Sequence, residues 1–268
     1  MSADHVLAVD GDTVTPSVHA AGPWREDAQH GGAPAALMAS LAEDAMVGIE
    51  GEWQLRRLSL ELPRPVPMAP LRIERAVDGG RSVQRVRLRL RDAQDRVAAE
   101  ALVLMQRAGD SGGLPAFGAP DAVPEVPEPE QCHERVRFAG MPDRAAFHAT
   151  GMEIRLAGGS DALPGPATAW FRPAMPLIAG RADSAVVRVC ASADFCNGLS
   201  WETPFDRFVF ANSDLTVLLN RPPAGEWTGS AARTRIEPGG FGLSSATLFD
   251  RDGVVGYAFQ NLLVFPRA

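Results

Sequence analysis

The sequence contains no lysine, so all 26 of its basic residues are arginine. Alanine, glycine, proline and arginine are correspondingly abundant, which reads as an effect of nucleotide composition and not as a functional signal. Acids outnumber bases, 33 to 26, and the net charge of −7 argues against a nucleic-acid surface. Cysteine is scarce. Cys132, Cys190 and Cys196 form an odd set without paired spacing, which points to reduced thiols and a cytosolic setting. The five histidines are scattered, so no metal site is expected. No apolar run approaches the roughly 18 residues of a membrane helix. The opening MSADHVLAVDGD is acidic and polar, unlike a signal peptide, and a cytoplasmic location is the expectation.

What is present is a pattern of elements that occurs twice. A stretch rich in Pro, Gly and acid, from Gly109 to Gln131, reads as a linker or long surface loop. It suggests an N-terminal unit at 1–107, a linker at 108–131 and a C-terminal unit at 132–268. In the first unit Thr13 to Ala20 alternates like a strand. Pro34 to Met46 then reads as a helix, with Leu37, Met38, Leu41, Ala42 and Ala45 on a wide apolar face. So alanine-rich a helix is expected to be wrapped. Strand-like runs follow at 55–62, 71–77, 82–91 and 97–106. In the second unit, runs at 152–156 and 167–171 precede a helix at 182–194, with Asp183 or Ser184 as N-cap. Strands are expected at 208–219, 229–236, 242–249 and 254–265, and Asp250–Gly253 is a hairpin turn signal.

One helix followed by a meander of strands, repeated, predicts an α+β double hotdog. Each curved antiparallel sheet wraps its own helix, and the two sheets pair edge to edge into one extended sheet, which removes an exposed edge from each.

Three polar residues stand in segments that otherwise want burial. Asp194 follows the second helix, Asn212 lies in an apolar strand and Gln260 lies inside the final strand. Each costs about 1–3 kcal/mol if buried unpaired, so together they suggest a small polar site in an apolar pocket. His30 reads as a loop histidine. Trp24, Trp170, Trp201 and Trp227 read as core or pocket lining, Cys190 as core packing, and Asp214 with Arg221 as a surface ion pair. A Gly-x-Ser-x-Gly elbow does not occur, and GGFGLSS precedes a strand, so neither an α/β-hydrolase nor a dinucleotide site is favoured.

These segments resemble the acyl-CoA thioesterase II (TesB-like) family of double-hotdog proteins. ASADF is similar to its segment after the second helix, with one residue inserted before the acid. FANSDLTVLLNRP, the terminal GVVGYAFQNLLVFPR and the helix entry QHGGAPAALMA are similar to other parts of it. The resemblance implies a catalytic set of an aspartate, a hydroxyl residue and a glutamine around a water. These fall on Asp194, Asn212 and Gln260, so an amide replaces the hydroxyl. It implies an acyl-CoA substrate and no cofactor. Glu100 stands in the first unit where Gln260 stands in the second, and no acid follows the first helix in the same way, so one complete site per chain is expected. Whether such subunits assemble into a homo-oligomer stays open.

Thioester hydrolysis needs a nucleophilic water and a stabilised oxyanion. In this reading Asp194 takes the water's proton, Gln260 and Asn212 orient the water, and backbone N–H groups at Gly31, Gly32 and Ala33 polarise the carbonyl. A hotdog hydratase would want an Asp–His pair, and no histidine follows His148. The alternative function is a non-catalytic acyl-thioester or lipid-binding protein that keeps the fold and pocket.

Overall fold

The computed structural model describes residues 4–109, 112–113, 122, 125–132, 136 and 144–267. Much of the expected 108–131 linker, and His133, lie outside these residues.

The N-terminal half contains β1 (Leu7–Asp10), β2 (Thr13–Pro16), α1 (Gly32–Asp44), β3 (Trp53–Glu61), β4 (Leu71–Gly79), β5 (Val83–Arg91) and β6 (Val97–Arg107). The C-terminal half contains β7 (Met152–Gly158), β8 (Ala167–Pro173), α2 (Ala185–Ala193), the short α3 (Cys196–Leu199), β9 (Phe208–Asn212), β10 (Asp214–Leu219), β11 (Thr228–Glu237), β12 (Phe241–Asp250) and β13 (Gly253–Pro266). The strand expected at 208–219 breaks at Ser213, and the one expected to run to Ala20 ends at Pro16 in a 3-10 turn, Val18–Ala20. β1 and α3 are too short to carry a readable period.

The strands form one antiparallel sheet in the order β1-β2-β4-β5-β6-β3-β10-β13-β12-β11-β8-β7, with β9 also on β13. The halves join where β3 meets β10, with Leu58 opposite Val217 and Leu60 opposite Leu215. All four side chains are fully buried, so this seam is core. Period-2 alternation fixes the faces. In β5 Val86, Leu88 and Leu90 point inward while the arginines between them stay in or near solvent.

Helix α1 is buried from Gly32 to Ala42, enclosed on all sides as its alanine content requires. Helix α2 packs on it in the opposite sense. Ser184 caps α2 by accepting the Val187 N–H at 3.1 Å, and its hydroxyl donates to the Glu43 carboxylate near the end of α1. At the other end Asp194, the C-cap of α2, lies against Gly31, the N-cap of α1. The antiparallel helix pair therefore carries an acid from one half to a helix start in the other.

A fragment of residues 1–107 is expected to be insoluble or self-associated, because β3 would expose the edge that β10 covers. Gel filtration of the fragment checks this, and a monomeric, well-folded species would contradict it.

Candidate active site

Each polar residue reaches the site for a local reason. In β13, Ala258, Gln260 and Leu262 share the inward face, so the phase that buries its apolar neighbours buries Gln260 completely. Asn212 ends β9 opposite Leu262, one step from the break at Ser213. Asp194 follows α2 with backbone angles still helical, φ −73° and ψ −3°, and is 4% exposed.

The three converge. Asp194 Oδ1 accepts from Asn212 Nδ2 at 2.8 Å and from Gln260 Nε2 at 2.8 Å. The reverse amide orientation would set carbonyl oxygens against a carboxylate, so both N–H groups must face it. Gln260 Oε1 accepts the Asn197 N–H at 3.2 Å, and Asn212 Nδ2 also donates to the Asp214 carbonyl at 3.0 Å. Both amides thus hold the carboxylate directly, where the sequence reading has them orienting a water. A Cβ on Gly31 would come within 2.7–2.9 Å of the Asp194 carboxyl atoms, so glycine is what admits the acid to the start of α1. The positive end of that helix favours an anion there.

The sequence reading passes over His30, and the structure brings it into the site. Its Nδ1 lies 2.9 Å from Asp194 Oδ2, and its ring packs against those of Phe147 and Phe195, with centroids 5.1 and 4.4 Å away. A histidine after His148 is not needed to pair with the acid, because its partner comes from the other half of the chain. The only local signal was its place directly before the glycines that open α1. His148, in the wide turn Phe147–Gly151, also lines the pocket.

Burial, then the neighbouring His30 and Arg144, push the His148 imidazole down from 6.5 to about 4. The unfolded chain therefore binds the proton first, between these values. Stability is complete above about 6.5 and declines as pH falls to about 4, by at most about 1.4 kcal/mol per pH unit. His148→Asn is expected to lose less stability than the native protein between about pH 7 and pH 5, read by thermal melts.

Of the three residues expected to polarise the carbonyl, Gly31 faces the pocket. The Ala33 N–H donates to the His30 carbonyl at 3.0 Å, and the Gly32 N–H points at His30 Nδ1 at 3.0 Å. Both residues are buried, and only Gly31 of the three lines the pocket. Arg221 pairs with Asp250 and not with Asp214, which instead accepts from Asn261. Burial raises both the Cys190 and the Cys196 thiols, so neither is poised as a thiolate nucleophile.

The pocket holds about 750 Å³. Trp24, Phe205 and Phe210 form one wall, with Trp201 packed behind Phe205; Phe195 lines the pocket beside His30, while Trp170 and Trp227 belong to a separate cluster. Arg25 and Arg64 also line it, both exposed to solvent.

The family model described as acyl-CoA thioesterase N-terminal domain matches residues 20–106, and the one described as acyl-CoA thioesterase C-terminal domain matches residues 120–264. Comparison with curated proteins finds no match. Among solved structures, a hot dog fold protein of unknown function from Alicyclobacillus acidocaldarius is 20% identical. It covers 98% of this chain and 96% of its own, with a TM-score of 0.71. A TesB protein from Mycobacterium avium subsp. paratuberculosis is 19% identical, covering 97% and 96%, with a TM-score of 0.66. An acyl-CoA thioesterase II from Mycobacterium marinum is 16% identical, covering 97% and 95%, with a TM-score of 0.64. At these identities the structural likeness establishes the double-hotdog fold.

Proposed function

This chain belongs to the acyl-CoA thioesterase family of thioester hydrolases, and from that premise we propose that it hydrolyses an acyl-CoA with a water activated at the Asp194 centre. The observation that carries the reading is one buried carboxylate held by donors from both halves, His30 from one and Asn212 and Gln260 from the other, in an apolar pocket. A buried anion so fully paired is costly to assemble for stability alone.

The pocket suits the two ends of the substrate. The aromatic wall formed by Trp24, Phe205 and Phe210 takes the acyl group. Arg64 and Arg25, exposed at the lining, offer charge to the phosphates of the CoA portion, although Arg25 already pairs with Asp27 at 2.5 Å. The thioester carbonyl then lies near Gly31, whose N–H heads α1. None of the hydrogen bonds among the described residues uses that N–H, so it is the oxyanion donor in this reading.

Release of free thiol from acyl-CoA substrates of short, medium and long chain tests the proposal. Thiol release dependent on the protein is expected for at least one length. Saturable binding without release at any length would favour the binding-protein alternative.

A further inference from the structure

We propose that His30 is the general base of this site, its Nε2 taking the proton of the attacking water while Asp194 orients the ring; this rests on the thioester-hydrolase reading above. The Asp194 carboxylate is poorly placed to take that proton itself. It has about four acceptor positions, and protein donors fill three: two at Oδ1 and one at Oδ2. Gly31 closes over the group so tightly that a single added carbon would touch it. Both residues line the pocket, and the Asp194 side chain is 3% exposed against 9% for His30.

The imidazole has the complementary arrangement. Two groups compete for Nδ1: the Gly32 N–H at 3.0 Å and the Asp194 carboxylate at 2.9 Å. A bare Nδ1 would accept from Gly32 but would set a lone pair against an anion. A protonated Nδ1 donates to the carboxylate in a charge-assisted bond, roughly twice as strong as a neutral one. The proton therefore sits on Nδ1, and Nε2 carries the lone pair. Phe147 and Phe195, themselves 5.8 Å apart between centroids, pack against the ring and restrain it. No hydrogen bond among the described residues engages Nε2. The polarity is water to imidazole to carboxylate, with the two amides of Asn212 and Gln260 fixing the last member.

The step balances without a cofactor. Nε2 takes a proton from water as the water oxygen bonds to the thioester carbon and the carbonyl π pair moves onto oxygen. The imidazolium formed is paired with Asp194 through Nδ1–H. The oxyanion then collapses, the C–S bond breaks, and Nε2–H returns its proton to the CoA sulfur. The products are a free carboxylic acid and a thiol.

His30→Asn separates this role from a structural one, because the asparagine amide can occupy the place of Nδ1 and keep the bond to Asp194 while removing Nε2. The expected result is a fall in kcat of at least about 100-fold with KM within about threefold. Turnover close to native in a folded His30→Asn protein would overturn the assignment and leave the thioesterase reading standing. Two-bond proton–nitrogen spectra of the native protein give a second readout that needs no variant. They are expected to place a proton on Nδ1 and none on Nε2 at neutral pH, and a proton on Nε2 would overturn the proposal. Failure of the native protein to turn over any acyl-CoA would overturn the thioesterase reading and this role together.

Discussion

Replacing Asp194 by asparagine is expected to lower acyl-CoA turnover by at least about 100-fold while the fold persists. The substitution keeps the shape of the side chain and removes its charge. Asn212, Gln260 and His30 would then direct three donors at a neutral amide, one of whose two positions is itself a donor. One of the three bonds must break. If it is the bond to His30, the ring loses the partner that fixes its proton on Nδ1. The anion that balances an imidazolium during reaction is lost as well. KM should move less than kcat, because the acyl pocket of Trp24, Phe205 and Phe210 is untouched. Steady-state kinetics with a circular dichroism check of folding measure both quantities. Unchanged turnover would remove Asp194 from the mechanism.

Substituting alanine for Gly32 is expected to destabilise the protein by about 1–3 kcal/mol, the usual scale of overpacking. The added carbon would lie 2.5 Å from the Ala191 carbonyl oxygen of α2 and 2.6 Å from the Phe147 ring. The carbonyl is backbone inside a buried helix, so relief requires α1 and α2 to separate. Gly31→Ala differs one residue away. The nearest atoms to its added carbon are those of the Asp194 carboxyl group, and φ of −61° suits any residue, so the penalty falls on the site. Thermal melts should show the larger loss for Gly32→Ala, and kinetics should show lost turnover for Gly31→Ala. Equal melting of Gly32→Ala and the native protein would contradict the close helix contact.

The four-strand meander after each helix was legible because alternation is local. Val83–Arg91 declares its buried face by sequence phase alone, whereas in Gly253–Pro266 the exposed face carries Phe259, Leu263 and Phe265, so phase alone does not turn Gln260 inward. The alanine-rich run from Pro34 announced an enclosed helix, and Ser184 stood among the expected caps. The break at Ser213 was not legible. An apolar strand continues through it by pattern, and only pairing decides that β9 lies on β13 while β10 also meets β3.

By itself, then, the sequence determined the two helix-and-meander halves, a polar Gln260 inside an apolar final strand, the glycine pair at the start of α1 and the resemblance that pointed to thioester chemistry. Tertiary structure alone decided the company Asp194 keeps. The antiparallel packing of α2 on α1 sets the end of one helix on the start of the other, which joins Asp194 to Gly31 and His30 from the opposite half. It also set the amides of Asn212 and Gln260 on the Asp194 carboxylate. The physical reason is range. Periodicity and capping act over a few residues and leave a mark in the sequence. A contact between helix ends far apart in the chain depends on how two buried surfaces fit, and no local pattern records that fit.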